Sequence, residues 1–545
     1  MLGLFKAFEK KVDHPMATAE EAKALLEPLS GEPPVKALEE LEHWLSTVRE
    51  TDGFPCDDRL AVVKEIDDAS RTPANAVLAE YFARIHQRDQ VQRKMFDRLY
   101  EFWSSLAGAY ARCITDFDQA EKNAARVREE MPLVFVRSFR ASSCVARMLH
   151  LRYQELDMEL WVGLARQLAT AEKRRFDEVA VVPYPREIHS TARSELLKIL
   201  GLYLAAPHEL SMEHVELAYR IIDRFAASFS WSLEPTDECN FMIDLAVHAR
   251  PRQRDPKDQP ADSRRFFGGG PGLQKLEEIE RLCNANILSE ETRFGAGFTP
   301  EYIVTVIRHI RTYLGTSPPR RQFPRMALSA PVSIIHGFRP ICQRVASIEV
   351  GSGVAVHDDL NVDAGKEAAL KLAAEEVESA PESWQVKDRS EWGVGAEIPP
   401  ALGQWAEPGV LCGIQEREGA SWSVGIIRRL HTEQAGRTKC GFWVLSKKPM
   451  SVWLRVLGSE GHKADNWESS TGSFSYTYLR AIIVPDALRS QDKPIIILEP
   501  KGFVPGNLCE LMVGEHARTI QMLDLLEGGA DYVRATFTWY KPQKK

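Results

Sequence analysis

Pro318-Pro319-Arg320-Arg321-Gln322-Phe323-Pro324-Arg325 is the stretch at which the character of this chain changes. Proline fixes φ, has no N–H to give, and pushes the residue before it out of the helical region. Three prolines in this octapeptide therefore end any helix that reaches it. Before the stretch, apolar residues recur at helical spacing. After it, short β-branched runs are broken by Gly, Pro and Asp. The pattern predicts a multidomain α + β protein: a large α-helical N-terminal region over residues 1–316, then two antiparallel β domains over 317–447 and 448–545.

The helical period is carried by Leu38, Leu41 and Leu45, then by Leu78, Tyr81, Phe82 and Ile85. Val91, Met95, Leu99, Phe102, Trp103 and Leu106 continue it. Thr299-Pro300 offers a hydroxyl cap followed by proline in the first turn, and residues 211–225 read the same way. The region is expected to be a bundle or an irregular solenoid, without a fixed-period repeat. Residues 252–265 alternate in charge and contain Pro256 and Pro260, which predicts an exposed loop. Phe267-Gly268-Gly269-Gly270-Pro271-Gly272 follows. No Lys-Ser/Thr pair accompanies it, so it reads as a flexible turn rather than a phosphate loop.

Beyond Pro324, strands are expected at 327–335 and 345–350, a helix at 364–380, and further strands near 409–411, 422–430 and 440–445. In the last hundred residues they are expected at 452–457, 476–484, 495–498, 508–513 and 532–539. The second piece of interest is Asp388-Arg389-Ser390-Glu391-Trp392-Gly393. Short polar side chains at 388 and 390 with a glycine at 393 describe a tight turn between strands that can present acceptors. Arg321 and Arg325, at R-x-x-x-R spacing, supply two planar guanidinium forks. Such forks pair bidentately with phosphate and with guanine O6/N7, and they stack on bases. Taken singly, the arginines read as a solvated linker and the turn as an ordinary hairpin.

Together and in this order, R-x-x-x-R and D-x-S-x-x-G resemble the signature of PilZ domains, bacterial receptors for cyclic di-GMP. The resemblance covers about residues 318–447. Val424-Gly425-Ile426-Ile427-Arg428 and Gly441-Phe442-Trp443-Val444 are similar to the last two strands of that family. It implies a PilZ-like antiparallel β-barrel over 317–447, with ligand-binding residues Arg320, Arg321, Arg325, Asp388, Ser390 and Gly393. The two motifs stand farther apart than is usual in the family, so the helix at 364–380 reads as an insertion. The residue before R-x-x-x-R is Arg320, which in the family goes with an intercalated dimer of the ligand. The 448–545 domain carries no second motif.

Composition narrows the rest. The formal net charge of −8 disfavours general nucleic-acid binding, which needs excess basic surface. The nine cysteines are scattered without a C-x-x-C pair, which argues against a disulfide framework or a structural zinc site. The apolar start at residues 1–5 is too short for a signal peptide, and no window has the length of a membrane span. A cytoplasmic protein is expected. His208-Glu209 and His214 lack metalloprotease spacing, and Asp359, Asn361 and Asp363 lack the glycine and glutamate of a calcium loop. No serine elbow or Walker motif is present. The expectation is a non-enzymatic receptor, without cofactor or metal, that couples cyclic di-GMP to a domain or partner rearrangement, the protein partner being unknown. The alternatives are a helical interaction scaffold with a degenerate barrel and, less favoured, an RNA-binding protein.

Overall fold

The computed structural model describes residues 12–540, apart from 88, 120–123, 248–249, 288, 320–322, 352–379, 401, 434–435, 458–477, 486–492 and 514–515. The chain divides into two compact units, Met1–Arg320 and Arg321–Lys545. The boundary falls within the proline–arginine stretch.

The first unit is helical. Its helices are α1 (Ala19–Leu26), α2 (Pro34–Glu50), α3 (Cys56–Ala83), α4 (Gln90–Gln119), α5 (Ala124–Val127), α6 (Met131–Leu151), α7 (Met158–Arg174), α8 (Ala192–Leu204), α9 (Met212–Phe225), α10 (Gly270–Asn284) and α11 (Pro300–Leu314). Side-chain caps start several of them: Thr18 with Glu21 makes a capping box on α1, Ser211 caps α9, and Thr299 caps α11. The predicted starts at 211 and 299 are therefore found. Helix α6 is buried almost from end to end and packs against α4, α7, α8 and α9. A helix covered on every side belongs at the centre of its unit.

Two arginines on this central helix require partners, because a buried unpaired charge is costly. Arg137 donates to Asp67 at 3.1 Å and to the carbonyl of Pro183 at 2.9 Å. The Tyr110 and Tyr184 hydroxyls donate to the same carboxylate. Burial pushes the Asp67 carboxyl up, and Arg137 and the two tyrosines pull it back down. Arg147 forms the matching pair with Glu216, its Nε donating at 2.7 Å. These pairs tie α3, α4 and α9 to α6.

Between α9 and α10 lies a small antiparallel sheet in the order β1 (Ser230–Ser232), β4 (Arg264–Gly268), β2 (Phe241–Asp244), β3 (Arg252–Gln253). The loop expected at 252–265 therefore begins and ends in strand. The glycine run after it is also not a flexible turn. A Cβ on Gly268 would stand 2.0 Å from the Glu238 carbonyl oxygen, and one on Gly270 would stand 2.0 Å from Ser230 Oγ. Glycine is required there because β4 passes into α10 through a closely packed corner.

The second unit opens with β5 (Met326–His336) and α12 (Phe338–Gly351). It continues with β6 (Glu382–Arg389), β7 (Gly393–Ile398), β8 (Leu411–Gln415), β9 (Ser423–Thr432) and β10 (Thr438–Ser446). The strands close into a six-stranded antiparallel barrel in the order β10-β7-β6-β5-β8-β9. A second six-stranded closed barrel follows. It uses β11 (Met450–Val456), β12 (Tyr478–Val484), β13 (Ile495–Leu498), β14 (Leu508–Val513), β15 (His516–Gly528) and β16 (Val533–Trp539). The multidomain α + β class is thus found, with helices first and antiparallel barrels after.

The strand predicted at 345–350 is part of α12. Gly337, at φ +90°, turns the chain off β5, and the Asp531 carboxylate accepts the Phe338 amide at 2.6 Å, capping the helix. Its buried positions Phe338, Ile341, Cys342 and Val345 repeat at helical spacing, a pattern invisible when reading begins at 345. Strand β15 shows no strand pattern in the sequence, because Arg518, Gln521, Asp524 and Glu527 dilute its apolar residues. The helix expected at 364–380 lies almost wholly outside the described residues.

The barrels share a core. Ile335, Phe338, Ile341, Leu411, Trp422 and Val424 from the first half pack with Ile482, Val484, Ile495, Ile497 and Tyr532 from the second. The other face of β13, Ile496 and Leu498, fills the second barrel. Four consecutive apolar residues, Ile495 to Leu498, are what a strand buried on both faces requires. The Tyr532 hydroxyl also donates to the Gly409 carbonyl at 2.9 Å, and Arg428 pairs with Glu527.

Candidate ligand-binding site

Arg325 immediately precedes β5, where Ala327 pairs with Asp388 of β6. Each strand carries a register irregularity here, between Ala327 and Ala330 on β5 and between Val386 and Asp388 on β6. A bulge re-aims the side chain beside it. The Arg325 Nη1 donates to Asp388 Oδ2 at 2.8 Å. Asp388 Oδ1 also lies 2.8 Å from that nitrogen, yet has no aligned hydrogen bond. The carboxylate thus retains unused acceptor capacity. Arg325 is 23% exposed and Asp388 31%. A pair this open contributes at most about 1 kcal/mol and is easily exchanged for another partner.

Glycine at 395 makes this placement possible. It lies opposite Asp388 on β7, and a Cβ there would stand 2.6 Å from Oδ1 and 2.8 Å from Cγ. The carboxylate lies flat across bare backbone. Sequence reasoning missed Gly395, although its position beside Gly393 with one residue between is the period-2 signal of a shared strand face.

Ser390 and Gly393 close the β6–β7 hairpin. The Ser390 amide donates to the Gly393 carbonyl at 2.7 Å, and the hydroxyl is 3.4 Å from the same oxygen. Gly393 does not adopt a positive φ. It is needed for space, since a Cβ would meet Ser390 Oγ at 2.8 Å. Trp392 at the hairpin tip accepts the Val444 amide through its carbonyl at 2.9 Å, and the Lys447 ammonium stands 5.1 Å over its ring. Met326, Leu328 and Phe323 are exposed apolar residues close to Arg325 in the chain.

Of the six residues predicted from sequence, Arg325, Asp388, Ser390 and Gly393 therefore gather at one end of the β5–β6–β7 wall. Arg320 and Arg321 lie outside the described residues. Among the described residues, no helix is long and apolar enough to cross a membrane. All nine cysteines are free thiols.

No curated protein matches the chain. Residues 20–236 match the family described as "Cyclic-di-GMP receptor FimW, N-terminal domain". The match lies wholly within the helical unit and includes no residue of the Arg325–Asp388 cluster. The helical region is thus similar to the N-terminal domain of a cyclic-di-GMP receptor, and the likeness supports a receptor family for that ligand.

Proposed function

We propose that the chain is a cyclic di-GMP receptor whose first barrel is a PilZ-like ligand domain. The observation that carries the proposal is the Arg325–Asp388 pair beside the Ser390–Gly393 turn, in a chain whose helical region is similar to a receptor for the same ligand. The two supports come from different stretches of sequence. Arg325, with Arg321, takes a phosphate or the O6/N7 edge of a guanine. Asp388, once its partner is shared with the ligand, accepts from the N–H groups of a guanine edge, and Ser390 adds a hydroxyl. Charge-assisted bonds contribute about 1.5–3 kcal/mol each, more than the exposed ion pair they replace. The signature arginines fall where the chain passes from the first unit to the second, Arg325 eleven positions after α11 ends at Leu314. Engaging that stretch on a dianion restricts the junction, and so couples ligand to the arrangement of the units or to a protein partner. The protein works in the cytoplasm as a non-enzymatic switch.

Titration of the pure protein with cyclic di-GMP, cyclic di-AMP and a short RNA tests the reading. Binding of the first alone, with the nucleotide recovered intact and changed amide exchange at residues 312–326, is expected. Conversion to the linear form makes the protein a phosphodiesterase instead. Binding of none leaves the helical scaffold as the working part.

A further inference from the structure

A single cross-strand row crosses the outer wall of the first barrel. Ala327 pairs with Asp388, Asp388 with Gly395, Gly395 with Gly441, and Gly441 with Arg429. Residues paired this way share a face. Val394, Ala396, Cys440 and Phe442, which alternate with the two glycines, are buried on the opposite face. Gly395 and Gly441 are therefore neighbours on the outer wall, and neither has a side chain to fill it. On one bank the Asp388 carboxylate lies across Gly395. On the other, the Arg429 stem lies across Gly441, where a Cβ would meet its Cγ and Nε at 2.8 Å. Adjacent strands are about 4.8 Å apart, so the row from Asp388 to Arg429 spans about 14 Å.

A bulge produces this arrangement. Gly441 pairs with Arg429 but Phe442 pairs with Ile427, which leaves Arg428 as the extra residue on β9. Arg428 turns to Glu527, its Nη2 donating at 2.8 Å, and stacks 4.7 Å from the Trp443 ring. Arg429, the next residue, is laid over the glycine floor. Both glycines are buried beneath these two side chains, so the wall carries an acceptor and a guanidinium on its Asp388 side and a second guanidinium opposite, all lying low over bare backbone. Its chemistry is that of a cradle for a flat, anionic ring system.

We propose that Arg429 is a further ligand-contacting residue, and that Gly395 and Gly441 are the bare backbone that lets Asp388 and Arg429 lie flat beneath the cyclic dinucleotide. The proposal rests on the receptor reading above and adds a contact from β9, far in sequence from both motifs. Arg429 pairs with phosphate or stacks on a guanine from the side facing Asp388.

The test is calorimetric titration of cyclic di-GMP into the full-length protein and four variants: Arg429→Leu, Arg429→Lys, Gly441→Val and, as a control on the exposed β9–β10 turn, Arg437→Leu. Melting temperatures are recorded alongside to certify folding. Arg429→Leu and Gly441→Val are each expected to weaken binding about tenfold or more, the loss of one charge-assisted bond or of the bare backbone beneath it. Arg437→Leu is expected to bind as the wild type does, and Arg429→Lys to fall between, since it keeps the charge but loses the fork. A wild type that binds while folded Arg429→Leu and Gly441→Val bind equally well overturns the role of Arg429 and leaves the receptor reading intact. A wild type that does not bind overturns the receptor reading itself.

Discussion

Arg325 and Asp388 stand 63 positions apart in the chain and 2.8 Å apart in space. Gly395 is what lets them meet, because the Asp388 carboxylate occupies the volume its side chain would fill. Gly395→Val should evict Asp388 from above β7 and leave Arg325 without its orienting partner. Cyclic di-GMP affinity is expected to fall by roughly tenfold or more, with the melting temperature recorded alongside to certify folding. Wild-type affinity in a folded Gly395→Val protein would show that the placement of Asp388 has no part in binding.

The second barrel should not be removable. Ile482, Val484, Ile495, Ile497 and Tyr532 complete the core that begins with Ile335, Phe338 and Leu411. Cutting the chain after residue 447 exposes that half-core and removes the Asp531 cap of α12. Such a truncation is expected to aggregate or to lose cooperative melting, as fully burying one large aliphatic side chain is worth about 1.5–3 kcal/mol. A soluble, cooperatively melting fragment of residues 1–447 would contradict the shared core.

How much was legible in the sequence follows from what each signal depends on. Caps and prolines act locally, so Ser211, Thr299 and the break at Pro318 were readable directly. The strand runs at 495–498 and 508–513 matched because both are short and densely apolar. α12 was misread because its helix depends on Gly337 and on a carboxylate from residue 531, neither of which belongs to the local pattern. The sheet at 230–268 was missed because its strands are only two to five residues long. At the site, motif spacing marked Asp388, Ser390 and Gly393. Gly395 follows Gly393 at the period of a strand face, but Gly441 and Arg429 join them only through strand register, which no spacing within the chain reveals.

Stability should fall on mild acidification. Burial pushes the His150 imidazole down to about 3, with His208 acting in the same direction, and burial takes His309 down to about 4. A base held neutral in the fold takes up a proton on unfolding once pH drops below its ordinary value of 6.5. Its contribution is therefore complete above that pH and is lost progressively between 6.5 and about 3. At pH 5.5 His150 alone costs about 1.4 kcal/mol. The measurement is chemical denaturation at pH 7.5 and 5.5, with His150→Phe reducing the difference. Equal stability of the wild type at both values would show that His150 is accessible to protons in the native state.

Stoichiometry tests the role proposed for Arg320. A third guanidinium beside Arg321 and Arg325 can neutralise and stack on a second, intercalated ligand molecule. Wild-type protein is expected to take two molecules of cyclic di-GMP per chain, and Arg320→Leu one, retained by Arg321 and Arg325. One molecule per chain in both proteins would remove Arg320 from the site.

The most direct measurement is calorimetry of cyclic di-GMP against the wild type and against Arg325→Ala at physiological salt. Arg325 is the signature arginine whose contact with Asp388 joins the two motifs. The account predicts saturable binding by the wild type and a loss of about 1.5–3 kcal/mol in the variant, the worth of one charged hydrogen-bonding group. Equal affinity in the two proteins, or no heat of binding in either, would contradict it.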